Sequence, residues 1–128
     1  MTEKKIRVLL VDHDRFLLDM YSLKFKKSDI DIETSSTSSG ALEKLKSDGD
    51  FDVILLDIIM PGMDGLELLS KIKQEKLAPN SKILMLTNQA DDVEKAEALG
   101  VDGYIIKAST IPSEVVEQVI SVYKNNKK

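Results

Sequence analysis

Several polar residues stand where apolar runs stop. "VLLV" runs into Asp12, His13 and Asp14; "FDVILL" runs into Asp57; "KILML" runs into Thr87; "GYII" runs into Lys107. Two carboxylates, a hydroxyl and an ammonium at the ends of four such runs suit transfer of a phosphoryl group onto a carboxylate. Asp57 is the candidate nucleophile and would carry the group as an aspartyl phosphate. The entering group bears negative charge on its equatorial oxygens, so the site must supply positive charge and hydrogen-bond donors. Lys107 offers an ammonium and Thr87 a hydroxyl. Backbone N–H groups of the turn after Asp57 could cradle a third oxygen. A divalent cation would bridge the phosphoryl group to Asp57 and Asp12. Magnesium is the usual choice, since it takes hard oxygen ligands and keeps some of its waters. The chain's only histidine, His13, lies between two acids. It could be a metal ligand, a catalytic base, or a substitution in a site that ordinarily wants a third carboxylate.

These groups act together only if the chain brings them to one rim, and the hydropathy pattern supplies the strands to do so. "IRVLLV" (6–11), "FDVILLD" (51–57) and "KILMLT" (82–87) are apolar almost throughout, as strands buried on both faces are. "IDIET" (30–34) and "GYIIK" (103–107) are weaker strands. Between them lie amphipathic stretches. Residues 15–27 carry Leu17, Tyr21 and Phe25 at intervals of four, with Leu18 alongside and Asp14 placed to cap the helix. "SSGALEKLKSDG" is a helix ending near Gly49, and "LELLSKIKQEK" a helix with Leu66, Leu69 and Ile72 on one side. "PGMDG" is a turn. "DDVEKAEALG" opens with acids and stops at Gly100. The closing helix has Pro112 in its first turn and Val115, Val116, Val119 and Tyr123 on its inner face. Strand then helix, five times over, predicts a parallel sheet covered on both sides by right-handed crossovers. In such a sheet ligands bind beyond the carboxyl ends of the strands, where the polar residues above fall.

Composition narrows the classes further. The 128 residues suit a single domain, residues 1–128, with 124–128 a solvated tail. There is no cysteine, which excludes disulfides, thiolate metal sites and a cysteine nucleophile. The start, "MTEKKIRVLLVD", lacks the features of a signal peptide, and no apolar stretch nears the roughly 20 residues that cross a bilayer. A cytoplasmic protein with no membrane association is expected. A net charge of −4 with scattered lysines offers no footprint for direct nucleic-acid binding.

The pattern resembles the receiver domain of bacterial two-component response regulators, over about Ile6 to Tyr123. "DVILLDIIMPGMDGLELLSKIK" is similar to the family's phosphoacceptor strand, its Met-Pro-Gly turn and the Asp-Gly that opens the next helix. "ILMLTNQADDVEKAEALGVDGYIIKAS" is similar to the family's closing half. The resemblance implies a flavodoxin-like (βα)5 doubly wound sheet of order 2-1-3-4-5. It implies a phosphoryl-accepting signalling domain rather than an enzyme, with Asp57 phosphorylated by a histidine kinase or phosphotransfer protein. It implies a magnesium site of Asp12, Asp57 and the backbone carbonyl of Ile59. The phosphate-contacting lysine falls on Lys107, and the switch pair on Thr87 and Tyr104. In the family the hydroxyl moves inward on phosphorylation and the aromatic ring turns behind it. The face of the fourth helix, fifth strand and fifth helix then changes its affinity for a downstream protein target, and phosphorylation-dependent dimerisation is one such outcome.

Three positions depart from the family pattern. His13 replaces the second of two adjacent acids that bind the ion, and imidazole is a poor magnesium ligand. His13 therefore weakens the magnesium site, joins the carboxylates to bind a softer ion such as manganese or zinc, or marks a degenerate site. Ala108 follows Lys107 where proline is usual; a cis bond there would cost about 2.5–4 kcal/mol without proline. Ile59, two residues after the acceptor, is apolar and near the path of an attacking water. Slow hydrolysis of the phosphate is expected, with Gln89 as the substitute that could orient the water. Rival readings are a pseudo-receiver that only docks proteins and a phosphatase of the haloacid-dehalogenase type using Asp12 and Asp14. Phe16 and the unexplained "LLDIIMPGMDG" oppose the phosphatase. A flavin binder lacks its phosphate loop.

Overall fold

The computed structural model describes residues 5–87, 93–107 and 110–125. Ten elements alternate: β1 (Arg7–Val11), α1 (Arg15–Lys27), β2 (Asp31–Ser35), α2 (Ser38–Ser47), β3 (Val53–Asp57), α3 (Gly65–Gln74), β4 (Lys82–Thr87), α4 (Val93–Ala98), β5 (Gly103–Ile106) and α5 (Pro112–Asn125). The strands are all parallel, as the hydropathy pattern predicts, and lie in the order β2-β1-β3-β4-β5, as the family resemblance implies.

Strand pleating divides the core into two layers. Val8, Leu10, Val53, Leu55, Leu84 and Leu86 point to the face packed by Leu18, Tyr21 and Phe25 of α1 and Val115, Val116 and Val119 of α5. Their neighbours Leu9, Val11, Ile54, Leu56, Ile83 and Met85 point to the opposite face, under Leu45 of α2, Leu68, Leu69 and Ile72 of α3, and Ala96 of α4. Burial on both faces is why these strands read as unbroken apolar runs.

Several boundaries move from their expected places, each for a local reason. β2 is displaced by one residue, its residues pairing with Arg7–Val11. The second helix stops at Ser47, with Asp48 as its cap in extended backbone. Gly49 is therefore not a left-handed stop. Its need is steric, since an added Cβ would sit 2.7 Å from the Leu77 carbonyl oxygen. Two helices end through non-glycine residues with positive φ, Asp29 at 62° and Lys76 at 52°. After α1 the Asp29 N–H donates to the Lys26 carbonyl and the Ile30 N–H to the Phe25 carbonyl, both at 3.1 Å, which seats Ile30 beside Phe25 in the core. Gly100 does turn at φ 88°, as predicted. The closing helix runs on through Lys124 to Asn125, so the expected tail at 124–128 is corrected for those two residues; 126–128 lie outside the described residues. A lysine in a last helical turn complements the dipole there.

The connection after β3 is held by a close approach. Asp64 caps α3 by accepting from the Glu67 N–H at 2.8 Å, and the Gly65 N–H donates to the Ile58 carbonyl at 2.7 Å. A Cβ on Gly65 would overlap the Asp57 carbonyl oxygen and lie 2.8 Å from the Ile58 Cα, both of them rigid backbone. Gly65→Ala is expected to lower stability by about 1–3 kcal/mol in urea unfolding and to shift the Asp57 and Ile58 amide resonances. Gly103→Ala, which meets only a Leu84 methyl at 3.0 Å, should lose less. Equal losses would contradict the close-approach account.

Candidate functional site

The strand alternation that builds the core also delivers the acids. Asp12 continues the parity of Val8 and Leu10, and Asp57 that of Val53 and Leu55, so both emerge on the same side at the carboxyl rim. Asp12 is fully buried and Asp57 is 3% exposed. Burying two like charges together is costly unless positive groups meet them. The Lys107 ammonium does so from one flank, and the His13 ring approaches from the other. The Lys107 ammonium lies 2.5 Å from Asp12 Oδ2 and 3.5 Å from Asp57 Oδ1. His13 Nδ1 lies 3.0 Å from Asp57 Oδ2 and 3.8 Å from Asp12 Oδ1. Each carboxylate thus turns one oxygen to the lysine and the other to the imidazole. Asp12 Oδ1 also accepts the Asp14 N–H at 2.9 Å.

The remaining expected site residues distribute as follows. Thr87 is buried at the end of β4, one residue beyond Leu86, the partner of Asp57 in the sheet register. Tyr104 on β5 pairs with Met85, and Thr87 with Ile106, so Tyr104 and Thr87 share a face, two positions apart along the strands. Tyr104 is 45% exposed, an outward position. The Ile59 side chain is also exposed, two residues after Asp57 and open to solvent. Asp14 does what its position suggests. Its Oδ1 accepts from the Phe16 N–H at 3.0 Å and the Leu17 N–H at 3.3 Å, capping α1. A carboxylate occupied in this way is poorly placed as the acid of a phosphatase. Gln89 and the Lys107–Ala108 bond lie outside the described residues.

Two contributors were not foreseen. Gly65 backs the Asp57 carbonyl, as described above. Ser38, at the start of α2, donates its hydroxyl to the Met63 carbonyl at 2.6 Å and so ties down the loop that follows β3. A buried helix-start serine leaves no periodic or compositional signal, whereas the Asp-Gly pair at 64–65 was visible only as a turn and helix opening.

Electrostatics follow from this packing. Burial raises the Asp57 pKa above the ordinary aspartate range, and the Asp12 charge raises it further, against the lowering pull of Lys107 and of the His13 hydrogen bond. A more basic carboxylate is a better nucleophile. Tyr21, on the α1 side, feels the same negative pair; burial first, then the charges of Asp12 and Asp57, raise its phenol. Asp12, His13 and Asp57 form a group able to hold a divalent cation, with one ligand atom from each lying within 4.8 Å of the others. Two carboxylate oxygens suit a hard ion, but the third donor is an imidazole nitrogen, and this departs from what magnesium takes.

The chain matches the family model described as "Response regulator receiver domain" over residues 8–119. It is 38% identical over 127 residues to the response regulator protein VraR of Staphylococcus saprophyticus, a match covering 94% of this chain and 57% of the relative. It is 30% identical to the alkaline phosphatase synthesis transcriptional regulatory protein PhoP of Bacillus subtilis, covering 94% of this chain and 49% of that protein. The chain therefore spans about half the length of the curated relatives it matches. Among solved structures it superposes on the Vibrio cholerae chemotaxis protein CheY4 with a TM-score of 0.84 at 26% identity, covering 93% of this chain and 99% of that one. It superposes on a CheY-like receiver domain protein from Methanospirillum hungatei with a TM-score of 0.85 at 28% identity, covering 95% and 96%. No helix among the described residues is long and apolar enough to cross a membrane.

The raised Asp57 pKa has a consequence for stability. A carboxyl whose folded pKa exceeds its unfolded value supports the fold fully below the unfolded pKa and loses that support as pH rises through the folded one. At neutral pH ionised Asp57 therefore weakens the fold relative to a neutral isostere. Asp57→Asn is expected to melt at a higher temperature than the wild type at neutral pH, the gain shrinking as pH falls toward the ordinary aspartate range. Calorimetry at a series of pH values tests this, and a lower melting temperature for the variant at neutral pH would refute it.

Proposed function

Because the chain belongs to the response regulator receiver domain family, phosphoryl-accepting modules of two-component signalling, we propose that Asp57 is its phosphoacceptor, charged by a histidine kinase or a phosphotransfer protein. The observation that carries this reading is the division of the Asp57 oxygens. Oδ1 faces the Lys107 ammonium at 3.5 Å, and Oδ2 faces the cation-binding side at His13. Oδ1 is then the attacking atom. It forms the new P–O bond as the P–N bond of a phosphohistidine donor breaks, and the leaving imidazole keeps the electron pair. Lys107 follows the charge from Asp12 to an equatorial oxygen of the entering group, and the Thr87 hydroxyl donates to another. A divalent cation held by Asp12 and Asp57, with the Ile59 backbone carbonyl as a further oxygen donor, supplies countercharge when bound. Drawing Thr87 toward the phosphoryl group opens space on the face it shares with Tyr104, and the exposed ring turns in to fill it.

That movement alters the face made by α4, β5 and α5, which meets a downstream protein target or a second phosphorylated copy. The domain works as a signalling switch in the cytoplasm and turns over no substrate beyond its own phosphoryl group.

Incubation with acetyl phosphate and a divalent cation is expected to add the mass of one phosphoryl group to the wild type and none to Asp57→Asn. Lys107→Ala should be phosphorylated at least roughly tenfold more slowly. A mass increase that persists in Asp57→Asn would move the acceptor elsewhere. The apolar Ile59 side chain cannot orient a hydrolytic water, so Ile59→Asn is expected to shorten the phosphoryl half-life by roughly tenfold. An equal or longer half-life in that variant would remove Ile59 from the account of hydrolysis.

A further inference from the structure

We propose that the Asp12–His13–Asp57 cluster selects a first-row transition ion of the manganese-to-zinc class over magnesium, with His13 Nδ1 as a direct ligand. The proposal deepens the phosphoacceptor reading, since it concerns the cation of the same pocket, and it rests on that reading for the ion's purpose.

Geometry carries the first part. Lys107 takes Asp12 Oδ2 and Asp57 Oδ1, so each carboxylate has one oxygen left toward His13. Those oxygens are the two that Nδ1 approaches, Asp57 Oδ2 at 3.0 Å and Asp12 Oδ1 at 3.8 Å. Donors held at about 2.1 Å around one ion stand roughly 3.0 Å apart when adjacent, and farther when the angle opens. The three atoms lie within 4.8 Å of one another, and an ion among them would take the place of the hydrogen bond between His13 Nδ1 and Asp57 Oδ2. The two carboxylates offer one oxygen each rather than a chelating pair, which leaves room for further ligands.

Donor chemistry carries the second part. Imidazole nitrogen adds little for a hard, strongly hydrated ion such as magnesium, whereas ions from manganese to zinc bind it with rising affinity. The His13 side chain is 45% exposed while both carboxylates are buried. Nδ1 is hydrogen-bonded to Asp57 Oδ2; with an ion bound, the solvent-open edge of the ring would carry the proton on Nε2 and leave the Nδ1 lone pair to the ion. A third carboxylate at this position would suit a hard ion; a nitrogen shifts the preference toward the transition ions.

The chain has one histidine, so its imidazole resonances report on this site without ambiguity. Ion-free protein would be titrated with magnesium, manganese or zinc chloride, following heat and the His13 ring nitrogens by NMR. Zinc is expected to shift the Nδ1 resonance, manganese to broaden it, and magnesium to bind more weakly without that signature. His13→Asp should move the manganese-to-magnesium affinity ratio roughly tenfold toward magnesium, and His13→Gln should lose manganese and zinc affinity by a similar factor. The second variant keeps the test alive if the first does not fold. An unchanged ratio in the folded variants, silent His13 nitrogens, or binding that survives in Asp12→Asn and Asp57→Asn would overturn the proposal. These readouts use unphosphorylated protein. Phosphoryl uptake without an ion signature at His13 defeats the ion assignment alone, and an ion signature without uptake at Asp57 defeats the acceptor reading alone.

Discussion

Two carboxylates share one buried pocket, and the rest of the rim is arranged around keeping them there. Asp12 is wholly removed from solvent and Asp57 nearly so. Left alone, either would neutralise or unfold the end of its strand. Lys107 on one flank and His13 on the other each reach both acids. Burial nevertheless raises the Asp57 pKa, and the Asp12 charge adds to it. Two carboxylates against one ammonium leave the pocket with an excess of negative charge. In the phosphoacceptor reading, this imbalance is what a cation entering with a phosphoryl group would meet.

Holding the imbalance requires a stiff frame. The acids are placed by strands whose side chains are locked into two separate apolar layers, so a one-residue slip of β1 or β3 would turn the carboxylates to the other face. At the far end of Asp57 the chain must turn back at once into α3. It does so with the Gly65 amide on the Ile58 carbonyl and no Cβ to hold the helix off. Ser38 fastens the same loop from α2. The Asp57 carboxylate is thereby fixed at its own backbone, while Thr87 and Lys107 come from the ends of β4 and β5.

How far this could be read from sequence depends on the kind of signal. The central strands were legible because burial on two faces leaves no polar residue between Val8 and Val11 or between Val53 and Leu56. The gathering of Asp12, Asp57, Thr87 and Lys107 was legible because parallel strands end on one rim. The pairings within the rim were not. His13 neighbours Asp12 in the chain, yet its ring lies nearer Asp57. Lys107, expected to contact the phosphoryl group, makes its shortest contact with Asp12, the carboxylate with no solvent at all and the greater need of a counterion. Left-handed stops at Asp29 and Lys76 were equally hidden, because both residue types are common in helices and only the packing of the following Ile30 and Leu77 decides them.

The sheet register also links the pocket to the surface in a way that composition does not reveal. Thr87 overhangs the strand position of Asp57 by one residue, a rise of roughly 3.3 Å, and has the opposite pleat parity. On the next strand Tyr104 lies on the same pleat face as Thr87, level with Met85. Met85 is fully buried, so the ring cannot move inward at its own level without displacing core. In the proposed switch, room for the ring would therefore come from along the strand, toward Thr87, and close packing would make the exchange between hydroxyl and ring a discrete one.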